Sequence, residues 1–334
     1  MANSTEQSKA SQIQNTLQSL AESGWIFAAL TVFMETGILK LLKNKLTFNE
    51  LKTATSLPED ILEQMLKLLV KTGFLINQNL SYSWSIGLLE IVDSSDLDAF
   101  FAQLRFISHM NNEFVKAASA GNLKPDWYQI DEVILHSWGK LSQFFGNNLI
   151  TEDPRLVQRF LRPEARMLDA GTGTASISTQ FCEIYPNLKI VAIDCSEKSL
   201  SLARENIQQH ELTDRIELRN TYLQDLTDKN SYDVVWLPQV YYSDTEYLKC
   251  LQIIWQALKP SGMIYVGALS SDDDNLSNTV SQFTNATYGS LRYVKDVIAS
   301  FEKVGFVDVQ SFDGTSGQKS FNGYSLVSAI KPSI

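Results

Sequence analysis

The stretch MLDAGTGTAS at residues 167–176 decides the fold of this chain, together with KIVAID at residues 189–194. Each contains a short apolar run, and the glycines between them predict a strand, a tight turn, a helix and a second strand. Gly171 and Gly173 allow the backbone to turn sharply and to approach a ligand closely. Asp194 ends the second strand, where its carboxylate can accept hydrogen bonds from ribose hydroxyls. The pattern therefore indicates a site for a ligand of the nucleotide type.

The charge of Asp169 decides which nucleotide-type ligand suits the turn. A dinucleotide enzyme holds its pyrophosphate at the N-terminus of the following helix, next to this carboxylate. Like charges about 4 Å apart repel by roughly 4 kcal/mol at an effective dielectric constant near 20. The G-x-G-x-x-G pattern also requires a glycine where Ser176 stands, and the third small residue here is Ala175. A ligand that carries an ammonium and a sulfonium is attracted instead, so S-adenosylmethionine fits better than NAD.

The series Asp169-x-Gly171-x-Gly173-x-Ala175, with Asp194 after it, resembles the S-adenosylmethionine site of class I methyltransferases. Three downstream segments are similar to that family's fourth strand, the helix with its Pro-Gly turn, and the fifth strand. They are SYDVVWL at 231–237, an amphipathic stretch that ends in ALKPSG at 257–262, and MIYV at 263–266. The resemblance covers residues from about 164 to the end. Within the family, the chain resembles the small-molecule O-methyltransferases that carry an N-terminal winged-helix dimerisation domain.

Apolar runs alternate with helical patterns from Arg166 onward, which predicts an α/β fold with helices on both faces of a sheet. The expected strands lie near residues 167–169, 189–193, 215–219, 232–237, 262–267, 306–312 and 324–330. We predict a Rossmann-like, seven-stranded, mostly parallel sheet of the class I methyltransferase type, after an all-helical, winged-helix N-terminal domain. The expected domains are a winged-helix dimerisation domain at 1–95, a helical connector and substrate roof at 96–162, and an S-adenosylmethionine-binding methyltransferase domain at 163–334.

The N-terminal third is predicted to contain helices at residues 13–20 and 25–42. The second helix is apolar almost throughout, so we expect both of its faces to be buried. Its longest apolar run, residues 25–34, is too short to span a bilayer, and the start of the chain lacks the pattern of a signal peptide. The resemblance implies that this helix packs against a second subunit in a homodimer, and no membrane partner is expected.

A helix and a small hairpin complete the pattern of a winged helix-turn-helix. The helix is expected at residues 61–72, and the hairpin strands at 74–76 and 82–84, around residues 77–79. The apolar positions of the helix are Ile61, Met65, Leu68 and Leu69.

Such a pattern also serves DNA binding, with residues 57–72 as the recognition helix. Its acidic residues oppose this use, because affinity for DNA comes largely from neutralising phosphates. Glu59, Asp60 and Glu63 lie at the end that would enter the groove, against Lys67 and Lys71. The whole chain has 28 basic and 38 acidic residues, a net charge of −10, which repels nucleic acid and anionic membranes. No nucleic acid partner is therefore expected.

The cysteines indicate the compartment. Cys182, Cys195 and Cys250 are odd in number, widely spaced and outside any C-x-x-C pattern. They are predicted to be buried free thiols in a reducing compartment, which favours a cytoplasmic location. No metal site is expected.

The resemblance assigns parts of the cofactor to residues of this chain. The methionine part is expected at Asp169, Gly171, Thr172 and Gly173, and the ribose at Asp194.

The adenine is expected near the ends of the third and fourth strands. Family members commonly carry a Gly-Asp pair after the third strand, and Thr221 and Tyr222 stand at those places here. Which of Tyr222, Leu223 and Gln224 lines the adenine pocket stays open. After the fourth strand, Pro238 and Gln239 complete the expected cofactor-binding residues.

The expected catalytic base is missing. Many small-molecule O-methyltransferases with this N-terminal domain carry a histidine base just after the fourth strand, where Tyr242 and Ser243 stand here. General-base catalysis contributes typically ~10²- to 10⁴-fold, so the enzyme needs another base or an acceptor that is already nucleophilic. The candidate catalytic residues are Tyr242, His136 and His109, whereas His210 ends a polar helix and is expected to be solvated.

Aromatic residues around the expected acceptor site favour a flat or apolar acceptor. They are Tyr241, Tyr242, Phe145, Phe283 and Tyr288. The resemblance implies transfer of the methyl group of S-adenosylmethionine to a small organic acceptor, which leaves S-adenosylhomocysteine. Without the histidine, an amine, a carbon or an acidic hydroxyl is favoured, and N-, C- and O-methylation all stay open. Biosynthesis of a specialised metabolite is expected by analogy alone.

Two other functions stay open at this point. In the first, the winged helix binds DNA and the C-terminal domain senses a ligand, which would make the protein a regulator. In the second, the glycine turn binds NAD and the protein is an oxidoreductase.

Overall fold

The computed structural model describes residues 2–91, 97–119, 121, 132–238, 244–269, 279, 282–283, 292–313 and 324–333. The chain divides into two compact units, Met1–Ser108 and His109–Ile334. The first contains a three-stranded sheet and the second a seven-stranded sheet.

The first unit begins with one long helix, α1 (Ala2–Glu35), followed by the short helix α2 (Ile38–Leu41). The prediction of separate helices at 13–20 and 25–42 is therefore wrong. The helix continues through Gly24 because one glycine costs a helix only about 1 kcal/mol. It ends before Gly37, whose φ of 76° lies in the left-handed region.

One face of this helix pair is buried within the single chain, and burial of the other face against a second subunit stays a prediction. Leu30, Phe33 and Ile38 are at most 3% exposed, whereas Trp25 is 74% exposed. The buried face packs on the small sheet and its helices, and the other face is left to solvent in the single chain.

The N-terminal half of α1 carries a row of exposed apolar side chains. Ile13, Leu17 and Leu20 are 62%, 62% and 63% exposed, and their spacing of four and three residues places them on one face of the helix. The stretch Lys9–Glu35 of α1 is also long and apolar enough to cross a membrane, by length and composition only. The apolar run at 25–34 alone gave too small a length for this segment, because α1 continues on both sides of that run. A helix that packs against a second subunit meets the same criterion.

The rest of the first unit has the order of elements expected of a winged helix. Its elements are β1 (Leu46–Thr47), α3 (Phe48–Ala54), α4 (Glu59–Lys71), β2 (Leu75–Gln78), β3 (Ser81–Trp84) and α5 (Ile86–Ile91). The strands pair antiparallel in the order β1-β3-β2. Gln78 pairs with Ser81, so the hairpin turns on two residues, Asn79 and Leu80, with φ of 53° and 62°.

Helix α4 turns a different face to the core than the sequence suggested. Its fully buried residues are Leu62, Leu66 and Leu69, whereas Ile61 is 48% exposed. Leu69 is buried as the sequence suggested, whereas Ile61 and Met65 are each one residue out of phase with the buried Leu62 and Leu66.

The second unit contains α7 (Glu132–Glu152) and α8 (Pro154–Phe160), and α6 (Leu97–Ser119) precedes them. Asp153 caps α8 by accepting a hydrogen bond from Arg155 N at 2.9 Å. The same buried carboxylate accepts a hydrogen bond from Tyr265 Oη at 2.7 Å and bonds the Arg155 guanidinium. Helix α8 is thus tied to the sheet through a buried polar network.

The seven strands lie where the sequence predicted them, within a few residues at each end. They are β4 (Arg166–Ala170), β5 (Lys189–Asp194), β6 (Ile216–Asn220), β7 (Tyr232–Leu237), β8 (Leu258–Leu269), β9 (Val307–Asp313) and β10 (Tyr324–Ile330). Their order in the sheet is β6-β5-β4-β7-β8-β10-β9. The first five are parallel, and β10 is antiparallel to both β8 and β9. The predicted seven-stranded, mostly parallel fold is confirmed.

Helices cover both faces of this sheet. They are α9 (Ser176–Ile184), α10 (Glu197–Gln209), α11 (Asp244–Ala257) and α12 (Val294–Val304). Successive strand residues point to opposite faces, so Met167 belongs to one hydrophobic core and Leu168 to the other.

The predicted Pro-Gly turn at 257–262 is a bulge at the start of β8. Leu258 pairs with Tyr232, and the next pairs begin with Met263 and Val234. Ser261 has a φ of 62°, and a Cβ on Gly262 would lie 2.8 Å from the Lys259 carbonyl oxygen. The apolar pattern predicted a strand at 262–267, but it did not show that the pairing of β8 with β7 already begins at Leu258.

All three cysteines are free thiols, as predicted. Cys182 and Cys250 are buried, and burial raises the pKa of each thiol to about 12. Cys195 is only half-buried, so the expectation of burial is wrong for this one.

Candidate active site

The turn between β4 and α9 has a backbone that only small residues adopt easily. Gly171, Gly173 and Ala175 have φ of 81°, 56° and 57°, all in the left-handed region. Gly171 and Thr172 donate backbone hydrogen bonds to the Ile193 carbonyl oxygen at 2.8 and 2.9 Å. The turn is therefore held against the end of β5, at the carboxyl edge of the sheet where open parallel sheets bind ligands.

Asp169 lies in the buried part of β4, one residue before the end of the strand, and supports the turn. Its Oδ2 accepts hydrogen bonds from the hydroxyls of Thr172 and Ser178, each at 2.6 Å. The residue is 1% exposed. Burial raises the pKa of Asp169 to about 6, although the two hydroxyls lower it in part and the charge of Asp194 raises it further.

Asp194 ends β5 and bonds the turn from the side. Its Oδ2 accepts a hydrogen bond from Gly173 N at 2.9 Å, and its Oδ1 accepts one from Ser196 N at 2.9 Å. Burial raises the pKa of Asp194, against the lowering effect of backbone N–H groups of Ser196, Gly173 and Cys195. Ser196 caps α10 through Ser199 N, so Asp194 is not needed as the helix cap.

The two carboxylates make this a site for a ligand with positive charge and hydroxyl donors. Neither Asp169 nor Asp194 forms an ion pair with a lysine, arginine or histidine in the part of the chain that the structure describes. A cation near them favours their charged forms. The space that a Cβ of Gly173 would occupy has no protein atom within 4 Å. S-adenosylmethionine, with its ammonium, sulfonium and ribose hydroxyls, fits these features.

Several residues that support the turn were missed in the sequence. Asn206 of α10 donates from Nδ2 to the Thr174 carbonyl oxygen at 2.9 Å, and the hydroxyls of Thr174 and Ser176 lie 2.8 Å apart. The hydroxyl residues at 172, 174, 176 and 178 alternate in the sequence, and that local signal could have shown them. Asn206 had no such signal because it comes from another helix.

The predicted adenine-side residues follow β6 and β7. Thr221 N donates to the Asp194 carbonyl oxygen at 3.1 Å, which places this segment beside the expected ribose site. Tyr222 is 51% exposed, whereas Leu223 is 4% exposed and packs in the core against α11. Pro238 is half-buried after β7, and Gln239 lies outside the described residues.

Most of the predicted acceptor-side residues lie outside the part of the chain that the structure describes. Tyr241, Tyr242 and Tyr288 do so, and nothing is described of the side chain of Phe145 in α7. Phe283 is 57% exposed and makes an edge-to-face contact with Phe114 of α6, with ring centroids 5.3 Å apart.

The histidines lie on three different helices. His109 is half-buried on α6, and His136 is exposed on α7. His210 is exposed after α10, where its Nδ1 lies 2.8 Å from the Asn206 carbonyl oxygen; its predicted solvation is confirmed. The described contacts bring no histidine to the glycine turn.

Comparison with known proteins finds a match inside the second unit. Residues 161–316 match a family model described as a methyltransferase domain. The turn at Gly171 and Gly173 lies within the matched residues, as the sequence motif suggested.

The matches to curated sequence relatives cover part of the chain, from 16% to 50% of it in different relatives. Release factor glutamine methyltransferase of Rhodopirellula baltica is 32% identical over 87 residues, which are 26% of this chain and 29% of that protein. The chain thus spans less than a third of the length of this curated relative.

Solved structures match almost the whole chain at low identity. The structure of human N-acetylserotonin methyltransferase in complex with SAM has a TM-score of 0.72 at 16% identity and covers 96% of this chain and 98% of that one. The structure of the mitomycin 7-O-methyltransferase has a TM-score of 0.68 at 17% identity and covers 97% and 99%. This likeness establishes the fold, which is that of the class I methyltransferases.

Proposed function

We propose that this protein transfers the methyl group of S-adenosylmethionine to a small organic acceptor. The observation that carries the proposal is the carboxylate of Asp194, held by Gly173 N–H at 2.9 Å at the carboxyl end of a parallel strand. The strand pair β4 and β5 meets there in a methyltransferase domain. A glycine turn and an acid in this arrangement suit a cofactor with a cationic methionine part and a ribose.

Different residues of the turn bind different parts of the cofactor. Gly171, Thr172 and Gly173 approach the methionine part with their backbone, and Asp169 attracts its ammonium group. Asp194 receives a ribose hydroxyl. Backbone N–H groups of Gly173, Ser196 and Cys195 already bond its two oxygens, and a carboxylate has about four acceptor positions, so one position remains for the ribose.

The adenine lies beyond the ribose, along the ends of β6 and β7. Tyr222 and Leu223 are the side chains proposed on one side, and Pro238 and Gln239 on the other. Tyr222 has the exposure for contact with a ligand, at 51%, whereas Leu223 supports the segment from the core.

The reaction is an in-line displacement at the methyl carbon. The bond from sulfur to methyl breaks as the bond from methyl to the acceptor atom forms, the sulfonium becomes a thioether, and the acceptor loses a proton. Alignment of the reacting groups can supply roughly 7 to 11 kcal/mol of the barrier. The protein's main task is to hold the acceptor atom in line and to exclude water.

The acceptor and the base are proposed on chemical grounds. Tyr242, His136 and His109 are the candidate bases, and Tyr241, Phe145, Phe283 and Tyr288 the candidate acceptor contacts. The edge-to-face pair of Phe283 and Phe114 supports an aromatic environment for a flat or apolar acceptor. Structures with this fold include methyltransferases named for mitomycin and N-acetylserotonin, which supports a small specialised metabolite as the acceptor.

A second copy of the chain is the proposed partner of α1. The row of Ile13, Leu17 and Leu20 is more than 60% exposed in the single chain, and burial of apolar side chains drives association. A homodimer would cover this row and leave the net charge of −10 on the outside. The cytoplasmic location stays a prediction.

Calorimetric titration tests the proposed function. S-adenosylhomocysteine should bind the purified protein, and NADH should not. Asp194→Ala should weaken S-adenosylhomocysteine binding by about 1.5 to 3 kcal/mol, because charge-assisted hydrogen bonds to the ribose are lost. Asp214→Ala removes an exposed carboxylate of the same domain and should leave binding unchanged. Binding of NADH alone, or an unchanged affinity in Asp194→Ala, would contradict the proposal.

A further inference from the structure

Helix α7 approaches α9 more closely than side chains would permit. Gly139 and Gly146 lie seven residues apart, two helical turns, and so share one face of α7. A Cβ on Gly139 would lie 2.3 Å from Ser176 Oγ and 2.4 Å from Thr174 Oγ1. A Cβ on Gly146 would lie 2.5 Å from Gln180 Oε1. Real Cβ atoms essentially never come within 3.0 Å of another heavy atom, so a Cβ at either position would force its neighbour to move. At Gly146 the neighbour is the end of the flexible Gln180 side chain, whereas at Gly139 it is the short side chains of Thr174 and Ser176.

The two glycines touch different parts of α9. Gly139 meets Thr174, which belongs to the glycine turn, and Ser176, the first residue of the helix. Gly146 meets Gln180, Ile177 and Phe181, which all follow Ser176 in α9 and lie outside the turn. The first contact therefore bears on the turn itself, and the second bears only on the packing of the helices.

The contact at Gly139 is part of a small polar network. The hydroxyls of Thr174 and Ser176 lie 2.8 Å apart, and Gln143, one turn after Gly139, donates from Nε2 to the Ser176 carbonyl oxygen at 3.2 Å. A methyl group on Gly139 would either push α7 away or rotate the two hydroxyls. In both cases a hydrogen bond beside the turn would be lost.

The turn depends on such outside support because its own helix start is uncapped. Ala175 is the N-cap residue of α9, with a φ of 57° and no side-chain hydrogen bond to the helix. A non-glycine residue in this region is strained, because its Cβ comes close to the following carbonyl oxygen. The turn is held instead by Asp169, Asp194, Asn206 and the face of α7.

We propose that Gly139 is a positioning residue for the methyl donor. By letting α7 lie directly on Thr174 and Ser176, it fixes the shape of the glycine turn and so sets the affinity for the cofactor. The inference rests on the proposed function, which places the cofactor at this turn. The same contact joins α7 directly to the cofactor site. Helix α7 also carries the candidate base His136, one turn before Gly139.

The test compares two substitutions on the same helix. Gly139→Ala and Gly146→Ala add the same methyl group against the same partner helix, and both should lower the midpoint of urea unfolding. In the full-length protein, Gly139→Ala should weaken S-adenosylhomocysteine binding about tenfold or more, because small misplacements of a binding group are costly. Gly146→Ala should keep an affinity close to that of the wild type. Equal affinities in the two variants would overturn the inference.

A second variant covers the case in which Gly139→Ala does not fold. Thr174→Val keeps the volume of the side chain but removes the hydroxyl that faces Ser176. It should weaken S-adenosylhomocysteine binding and speed hydrogen exchange of the amides of residues 171–176. Wild-type affinity in this variant would count against the role of the network.

The outcomes separate the inference from the proposed function. If the wild type does not bind S-adenosylhomocysteine, the proposed function fails. If the wild type binds and Asp194→Ala weakens binding while Gly139→Ala and Thr174→Val do not, only the inference about α7 fails.

Discussion

Asp169→Asn should change how the stability of the protein depends on pH. Burial raises the pKa of Asp169 from an ordinary value of 3.8 to about 6, because the carboxylate loses its hydration and, among the described residues, only Thr172 and Ser178 donate hydrogen bonds to its side chain. Between these two values the folded protein holds a proton that the unfolded chain has released. The free energy of unfolding therefore falls as the pH rises through this window. An asparagine does not titrate, so this contribution is absent from the variant.

The magnitude follows from the difference between the two pKa values. At about 1.36 kcal/mol for each pKa unit, Asp169 lowers the stability by about 3 kcal/mol at neutral pH relative to strongly acidic solution. About 1.3 kcal/mol of this loss falls between pH 5 and pH 7. Relative to the wild type, Asp169→Asn should become more stable by that amount as the pH rises from 5 to 7.

Urea unfolding of both proteins at pH 5, 6, 7 and 8 measures this difference. Comparison with the variant is essential, because carboxylates such as Asp153 and Glu217, whose pKa is lowered, give the opposite slope in both proteins. Calorimetry adds an independent readout. If the cofactor's ammonium group favours the charged form of Asp169, S-adenosylhomocysteine should bind the wild type more tightly as the pH rises through 6, and the variant should not show this. Parallel stability curves for the two proteins would refute the reasoning.

Three further predictions concern the fold and its assembly. Leu80→Gly should raise the free energy of unfolding by about 0.5 to 1 kcal/mol, because Leu80 has a φ of 62° in the hairpin turn and glycine adopts this conformation without strain. An unchanged midpoint of urea unfolding would show that the turn is not strained. Leu17→Asp should convert the proposed dimer to a monomer in analytical ultracentrifugation, whereas Lys9→Asp should not; a monomeric wild type would contradict the proposed partner. Tyr265→Phe should lower the free energy of unfolding by about 1 to 3 kcal/mol, because the buried carboxylate of Asp153 loses a hydrogen bond of 2.7 Å. A loss below about 0.5 kcal/mol, which is typical of a surface substitution, would argue against the network.

The strands of the large sheet could be predicted because their pattern is local. A parallel strand covered on both faces is a continuous apolar run, and the runs at 189–194 and 232–237 show this directly. The turn at Gly171 and Gly173 could be predicted for the same reason, since its glycines and Asp169 are neighbours in sequence. Asp194 was found because it ends the next strand.

The features that were missed depend on contacts between distant residues. Gly139, Gln143 and Asn206 support the turn from other helices, and nothing near them in the sequence marks that role. In α4, Ile61 was predicted on the apolar face but is 48% exposed, and the next residue, Leu62, is buried instead. Hydrophobicity shows which residues can be buried, and the packing of neighbouring elements decides which of them are.

The place of β10 in the sheet has a consequence for synthesis on the ribosome. β10 (Tyr324–Ile330) lies between β8 and β9, and β9 is joined to the rest of the sheet through it. Until these residues emerge from the exit tunnel, the edge of β8 has no neighbour and β9 has no strand to join. Pairings between residues far apart in the chain form slowly, and an open strand edge invites aggregation. The nascent chain thus exposes an unpaired strand edge until β10 emerges, and a chaperone that shields such edges would act at that moment.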